Sequence, residues 1–129
     1  MTKKGIKHDS GKPDLSLIPY SALIEAAKGF MLGAQKYGRY NYTEGLEASR
    51  LVAAALRHLA AWNQGEDTDP ESGASHLGHV ICCAAMIIEC QRLHTLSDDR
   101  FGKAAPITKE TAPSFSKVTM YTGLLDYIK

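Results

Sequence analysis

Residues 57–79 read RHLAAWNQGEDTDPESGASHLGH, and this stretch decides the fold. Two segments with helical periodicity flank a polar loop. This loop, here called the acidic loop, carries four carboxylates: Glu66, Asp67, Asp69 and Glu71. The metal-ligand candidates of the stretch are His58, Asp69, Glu71, His76 and His79, and its candidate catalytic acids are Glu66, Asp67 and Glu71. Carboxylate oxygens and imidazole nitrogens are ligands that divalent metal ions use in proteins. The stretch therefore predicts a metal or phosphate site.

The flanking segments are expected to form a pair of helices. Apolar residues recur at helical spacing over residues 49–64, and Gly65 follows as a stop signal. Ser75 is suited to cap a second helix over residues 76–96. A short connection makes two helices antiparallel neighbours. The acidic loop is therefore expected at one end of this helix pair.

Three imidazoles should converge at that end. His76 and His79 share one face of the second helix, and that face continues as apolar residues, so both rings should point inward. His58 lies about one turn before the end of the first helix. Taken singly, a histidine on an apolar face is more often a core residue than a metal ligand, and an acidic loop is usually just solvated. The prediction depends on the whole set converging.

The remaining segments predict an all-α fold. Apolar residues recur at helical spacing over residues 19–37, with Gly38 as a stop signal, and we expect this apolar face to be core. Residues 97–117 lose the periodicity and predict an extended arm, and residues 118–129 predict a short terminal helix. With residues 1–18 as an N-terminal loop, the chain is expected to form one domain, a bundle of three long helices plus the terminal helix.

Composition excludes several classes of protein. A length of 129 residues fits one domain, and a net charge of +1 gives no general attraction to nucleic acid polymers. The longest apolar run covers residues 80–88, far short of the ~20 residues that a membrane span needs. Three cysteines in one apolar helix predict buried, reduced thiols. With no signal-peptide pattern at the start, we expect a cytoplasmic protein.

Polar residues outside the acidic loop are candidates for binding an anionic substrate. They are Asp9, Lys12, Lys36, Asn41, Arg50 and Arg57, with Tyr40 or Tyr42 available to stack on a base. In an up-down-up bundle, Asp9 and Lys12 would lie at the end that holds the acidic loop. Lys36 and Asn41 would lie at the opposite end.

Several motifs, in order, resemble a known family. They are DSGKPD at 9–14, GAQKYG at 33–38 with Asn41, RHL at 57–59, GED at 65–67, DPESG at 69–73 and HLGH at 76–79. Over roughly residues 8–95, the chain is similar to phage dATP/dGTP diphosphohydrolases, which are MazG-like enzymes. One branch, called MazZ, serves phages that replace adenine by 2-aminoadenine in their DNA.

The resemblance implies an all-α nucleotide pyrophosphohydrolase that depends on Mg²⁺ or Mn²⁺. Such enzymes cut a purine deoxynucleoside triphosphate, here dGTP or dATP, into a monophosphate and pyrophosphate. Relatives in the wider superfamily form homodimers or homotetramers. A formal match to the MazG metal motif is Glu44 with Glu47, then Glu66 with Asp69. Alternatively, the HLGH motif places histidines in the ligand positions, which would shift preference toward Mn²⁺ or a later metal.

Two other functional classes remain open at this stage. One is a metal phosphohydrolase of the HD type, which is disfavoured because the sequence contains no His-Asp dipeptide. The other is a non-catalytic helical module stabilised by zinc. Such a module would bind metal and stay folded without turning over any nucleotide.

Overall fold

The computed structural model describes residues 3–101, and every long element in this range is helical. The helices are α1 (Tyr20–Tyr37), α2 (Ala48–Asn63) and α3 (His76–Arg92). Two single turns of 3₁₀ helix, Leu15–Leu17 and Asn41–Glu44, precede α1 and α2. The all-α prediction is confirmed. The predicted terminal helix at 118–129 and the arm beyond residue 101 lie outside the described residues.

Most helix ends fall where the sequence predicts them. Gly38 ends α1 with a φ of 93°, and its N–H donates to Ala34. The Ser75 hydroxyl accepts a hydrogen bond of 3.1 Å from the amide of Leu77 and caps α3. Local side-chain and glycine chemistry thus sets these boundaries.

The end of α3 was predicted wrongly. The helix stops at Arg92 instead of continuing to residue 96, because His94 adopts a φ of 58° and turns the chain. Ser97 then pairs with the start of α2: its amide donates to Leu46 and its carbonyl accepts from Ala48. The first residues of the predicted arm therefore lie against α2.

Helix α3 lies between the other two helices and packs on both. Its start adjoins His58 near the end of α2, whereas the chain after it adjoins the start of α2, so the two helices are antiparallel as expected. The contact with α1 depends on glycine. A Cβ on Gly78 would lie 2.6 Å from the Glu25 carbonyl oxygen, and one on Gly29 would lie 2.6 Å from Cys82 Sγ. Two helices can approach this closely only without those side chains.

The expected core face of α1 is largely exposed, which corrects the prediction. Tyr20, Ile24 and Met31 are 81%, 51% and 70% exposed, whereas Ala26 and Gly29 are buried. Because α1 approaches α3 through its small residues, the large apolar residues on the other side of the helix remain exposed within residues 3–101. Leu59 and Trp62 of the predicted apolar face of α2 are also partly exposed.

The three cysteines are buried free thiols, as predicted. Cys82 donates to the carbonyl of Ala26 at 2.9 Å, and burial raises the pKa of its thiol to about 11. The thiols therefore serve packing between the helices. Among the described helices, none combines the length and the apolar character that a membrane span requires.

Candidate functional site

The acidic loop has a defined shape set by its own backbone. The Asp69 amide donates a hydrogen bond of 2.8 Å to the Ala74 carbonyl, and the Gly73 amide donates one of 2.8 Å to the Asp69 carbonyl. Gly73 has a φ of 71°, a conformation that glycine adopts without steric cost. This tight turn buries the Asp69 side chain, whereas Glu66 and Asp67 stay exposed.

The loop runs alongside α1 and not only across the end of the helix pair. The Glu25 carboxylate accepts a hydrogen bond of 2.7 Å from the Ser75 amide, and Lys36 forms an ion pair with Glu71. Glu25 and Lys36 are eleven positions apart on α1, which is about 16 Å of helix. The predicted placement of Lys36 at the end opposite the acidic loop is therefore wrong.

Three side chains from α2, the loop and α3 form a possible metal-ligand cluster. One ligand atom from each of His58, Asp69 and His79 lies within 4.8 Å of the others. The His58 and His79 rings stack, with centroids 4.4 Å apart and planes inclined by 10°. His79 Nε2 lies 3.2 Å from Asp69 Oδ2 and 2.6 Å from the Ser72 hydroxyl. Two imidazoles and a carboxylate thus converge at the predicted position.

His76 lies next to this cluster but makes different contacts. Its Nδ1 lies 2.9 Å from His58 Nδ1, and its Nε2 lies 2.7 Å from Glu66 Oε1. Its backbone amide donates to the Asp67 carbonyl at 3.0 Å, which fixes the start of α3 against the loop. The convergence of the three imidazoles is confirmed, and the inward orientation of His76 and His79 with it.

The surroundings of His58 and Asp69 favour the forms of these two groups that bind a metal ion. Burial lowers the pKa of His58, and the nearby His79 lowers it further, so the neutral form of the ring is favoured. For Asp69, burial alone would raise the pKa. Three effects outweigh burial, so the Asp69 pKa is lowered: the hydrogen bond from the Glu71 amide, the electrostatic influence of His79 and the hydrogen bond from the Ser72 hydroxyl. A neutral imidazole and an ionised carboxylate are the forms that bind a cation.

A groove of about 980 Å³ opens between α1, the Asn41–Glu44 turn and α2. Its polar lining includes Arg39, Arg50, Arg57 and Asn41, and its aromatic lining includes Tyr37, Tyr40 and Tyr42. Gly29 also lines the groove, and a Cβ there would lie 3.3 Å from His79 Nδ1. The groove wall at Gly29 therefore adjoins the histidine cluster.

The remaining predicted residues are placed as follows. Asp9 and Lys12 are exposed in the turn that their backbone forms, and neither side chain has a hydrogen bond or ion pair within residues 3–101. Glu44 and Glu47 are exposed in the segment just before α2 and belong to no ligand group among the described residues. The structure thus unites Asn41, Arg50 and Arg57 in the groove, and Lys36 joins Glu71.

Sequence reasoning missed three residues that shape the site. Ser72 bonds to both Asp69 and His79, Gly29 leaves room for the His79 ring, and Glu25 binds the loop to α1. A serine three positions after an aspartate in a turn is a signal that could have been used. The roles of Gly29 and Glu25 depend on how α1 packs against the rest of the protein, and no local sequence pattern indicates that packing.

An all-α fold with a metal-ligand cluster beside an arginine-lined groove is suited to acting on phosphorylated ligands. Residues 2–100 match the family model described as dATP/dGTP diphosphohydrolase, N-terminal, and the chain belongs to this family. It is 36% identical over 115 residues to a dATP/dGTP diphosphohydrolase of Salmonella phage PMBT28. The alignment covers 88% of this chain and 39% of that relative, so the chain spans about two fifths of its length. No solved structure matches the chain significantly. The family resemblance inferred from the motifs is confirmed.

Proposed function

We propose that this protein is a metal-dependent hydrolase that cleaves a purine deoxynucleoside triphosphate, dGTP above all and dATP as a second substrate. Water attacks the α-phosphorus, and the bond from that phosphorus to the oxygen bridging to the β-phosphorus breaks. The products are the deoxynucleoside monophosphate and pyrophosphate. The name of the phage relative and the family match support the substrate class.

One observation carries this proposal: the arginine-lined groove and the histidine cluster are neighbours across Gly29. Gly29 belongs to the groove wall and also faces His79, and Arg57, which lines the groove, directly precedes His58 on α2. A triphosphate needs cations along its length and a reactive centre at one phosphorus. The groove supplies guanidinium groups, and the cluster supplies the reactive end.

The donor set fits a divalent cation. His58, Asp69 and His79 would hold it, and two nitrogen donors with one oxygen donor favour Mn²⁺ over Mg²⁺. When bound, the cation supplies positive charge against the phosphates and makes a water molecule more acidic. The Ser72 hydroxyl and the Glu71 amide hold the Asp69 carboxylate in place.

Other side chains of the protein bind the substrate and accept the proton. Arg57 and Arg50 bind the phosphates, and a tyrosine of the groove packs on the purine. Of the three predicted catalytic acids, Glu66 contacts His76 and Glu71 pairs with Lys36. Asp67 is exposed and has no ion pair within residues 3–101, so we assign it as the base that accepts the proton from the attacking water.

We further propose that the protein works as a homodimer or homotetramer. The exposed apolar residues of α1 support this, because an unpaired apolar helix face marks a site of association. The resemblance to the MazZ branch supports a role in the cytoplasm of a phage-infected host. There the enzyme would remodel the nucleotide pool for 2-aminoadenine DNA.

Product analysis tests the reaction. The protein is offered each deoxynucleoside and ribonucleoside triphosphate with Mg²⁺ or Mn²⁺ in ¹⁸O-labelled water. We expect dGMP carrying the label, together with unlabelled pyrophosphate. The early appearance of dGDP and orthophosphate would overturn the mechanism. Mn²⁺ binding with no turnover of any nucleotide would favour a non-catalytic metal-stabilised module.

A matched pair of substitutions separates the two proposed roles of the loop acids. Asp69→Asn should abolish Mn²⁺ binding measured by calorimetry, since it removes the only carboxylate of the ligand group. Asp67→Asn should bind Mn²⁺ normally but lose turnover, since it removes only the base. Equal Mn²⁺ affinities for the two variants would refute the assignment of Asp69.

A further inference from the structure

A chain of contacts links the surface to the metal-ligand cluster. The exposed carboxylate of Glu66 lies 2.7 Å from Nε2 of His76, whose ring is buried. On the other side of that ring, Nδ1 lies 2.9 Å from Nδ1 of His58. His58 in turn stacks on His79 and belongs to the ligand group. Both ring nitrogens of His76 are therefore occupied by other side chains.

The proton positions along this chain follow from the chemistry of the groups. An ionised carboxylate only accepts hydrogen bonds, so Nε2 of His76 carries a hydrogen and donates it to Glu66. A neutral imidazole carries one N–H, so Nδ1 of His76 is left as an acceptor. His58 must then donate from its own Nδ1. Its Nε2 is left without a hydrogen.

We propose that Glu66 and His76 form a relay that sets the tautomer of His58, so that Nε2 of His58 is the atom that binds the cation. This inference rests on the proposed function, because it concerns the same metal site. It assigns Glu66 and His76 as positioning residues, whereas the sequence indicated an acid catalyst and a ligand. Outer-shell partners of this kind orient a metal-binding imidazole and fix which nitrogen is free.

Two features of the structure favour the relay over direct ligation by His76. A cation bound to His76 Nδ1 would have to displace His58, and one bound to Nε2 would have to displace Glu66. His76 is absent from the group of atoms within 4.8 Å that contains His58, Asp69 and His79. The backbone bond from His76 to the Asp67 carbonyl also holds the ring at its position between the two partners.

Nitrogen NMR of the metal-free, full-length protein tests the tautomers directly. The histidines are labelled with ¹⁵N, and two-bond proton–nitrogen couplings are recorded at about pH 8.5, two units above the ordinary imidazole pKa of about 6.5. We expect a hydrogen on Nδ1 of His58 and on Nε2 of His76. A hydrogen on Nε2 of His58 would overturn the proposal.

Three variants test whether Glu66 determines the tautomer of His58. Glu66→Ala should shift His58 to a mixture of tautomers and weaken Mn²⁺ binding by about 10- to 100-fold, the usual effect of losing an outer partner. Glu66→Gln should restore most of the affinity, because its amide oxygen can accept from the same nitrogen. Glu89→Ala is the control: it removes an acid that pairs with Arg92 on α3 and should change neither quantity.

The outcomes separate this inference from the proposed function. An unchanged tautomer and Mn²⁺ affinity in Glu66→Ala, with helix content preserved by circular dichroism, would overturn the relay and leave the proposed reaction intact. Conversely, a protein that hydrolyses no nucleotide would refute the proposed reaction. The tautomers measured in the metal-free protein would still decide the relay.

Discussion

Gly29 of α1 faces the imidazole of His79 on α3 so closely that a Cβ at Gly29 would lie 3.3 Å from Nδ1 of that ring. The same Cβ would lie 2.6 Å from Cys82 Sγ. The absence of a side chain therefore allows the helices to pack and also leaves room for a ring of the metal-ligand cluster. A helix that forms one wall of the groove is thus in contact with the metal site.

Substitution of Gly29 by alanine should weaken both folding and metal binding. Overpacking in a close contact lowers the free energy of unfolding by about 1–3 kcal/mol. The higher helix propensity of alanine raises it by about 1 kcal/mol. We expect a net loss of up to about 2 kcal/mol in chemical denaturation, with weaker Mn²⁺ binding because His79 must move. Gly33→Ala is the control, since nothing lies within 4 Å of its Cβ and the protein should become slightly more stable. Wild-type Mn²⁺ affinity in Gly29→Ala would show that His79 is not a ligand.

Arg57 should matter for substrate binding in a way that depends on the shape of its guanidinium. It lines the groove beside the cluster, so Arg57→Gln should lower kcat/KM for dGTP by about 10- to 100-fold, mainly through KM. Arg57→Lys should recover little, because an ammonium group cannot bind phosphate in the bidentate way. Arg92→Gln is the control: Arg92 pairs with Glu89 and does not line the groove. If Arg92→Gln were as damaging as Arg57→Gln, the assignment of the groove would be wrong.

The local parts of the fold could be predicted from sequence because local chemistry determines them. Gly38 and Ser75 mark helix ends by backbone conformation and capping, and the spacing of His76 and His79 fixes their common face. The end of α3 escaped prediction because His94, a non-glycine residue with positive φ, gives no such signal.

The predictions that were wrong concern how the helices and the acidic loop pack against one another. Periodicity indicated that α1 is amphipathic, but it could not say that the small residues would face α3 and leave Ile24 exposed. The position of Lys36 was mispredicted for a related reason. The acidic loop was expected only at one end of the bundle, whereas it folds alongside α1 and brings Glu71 to Lys36. Both outcomes depend on contacts between distant segments.

Asp99 should make stability depend on pH in the acid range. Its carboxylate accepts hydrogen bonds from the Ser49 hydroxyl and amide at the start of α2, and these bonds lower the pKa of Asp99 in the folded protein. A lowered folded pKa stabilises the protein above the unfolded value of about 3.9, and that contribution is lost as pH falls through the folded pKa.

Thermal unfolding of wild type and Asp99→Ala from pH 7 to pH 2.5 measures this contribution. The variant should have the lower Tm from pH 7 down to about pH 5, and the difference should shrink below about pH 4 as the wild-type acid takes up its proton. Asp99→Asn keeps an acceptor oxygen that does not titrate, so it separates the hydrogen bond from the charge. A Tm difference that grows toward low pH would contradict the lowered pKa.

The exposed face of α1 should be an interface between copies of the chain. Tyr20, Ile24 and Met31 lie on one side of the helix, opposite the small residues that contact α3. Burying such side chains stabilises an association by about 1.5–3 kcal/mol each, and a charge among them would remove that gain.

Light scattering of the wild type should therefore give a multiple of the 14.0 kDa chain mass at micromolar concentration. Ile24→Glu should shift the protein toward the monomer with its helix content intact. Gln91→Glu adds the same charge at an exposed polar position of α3 and should leave the assembly unchanged. A wild-type protein that stays at the mass of one chain would refute the interface.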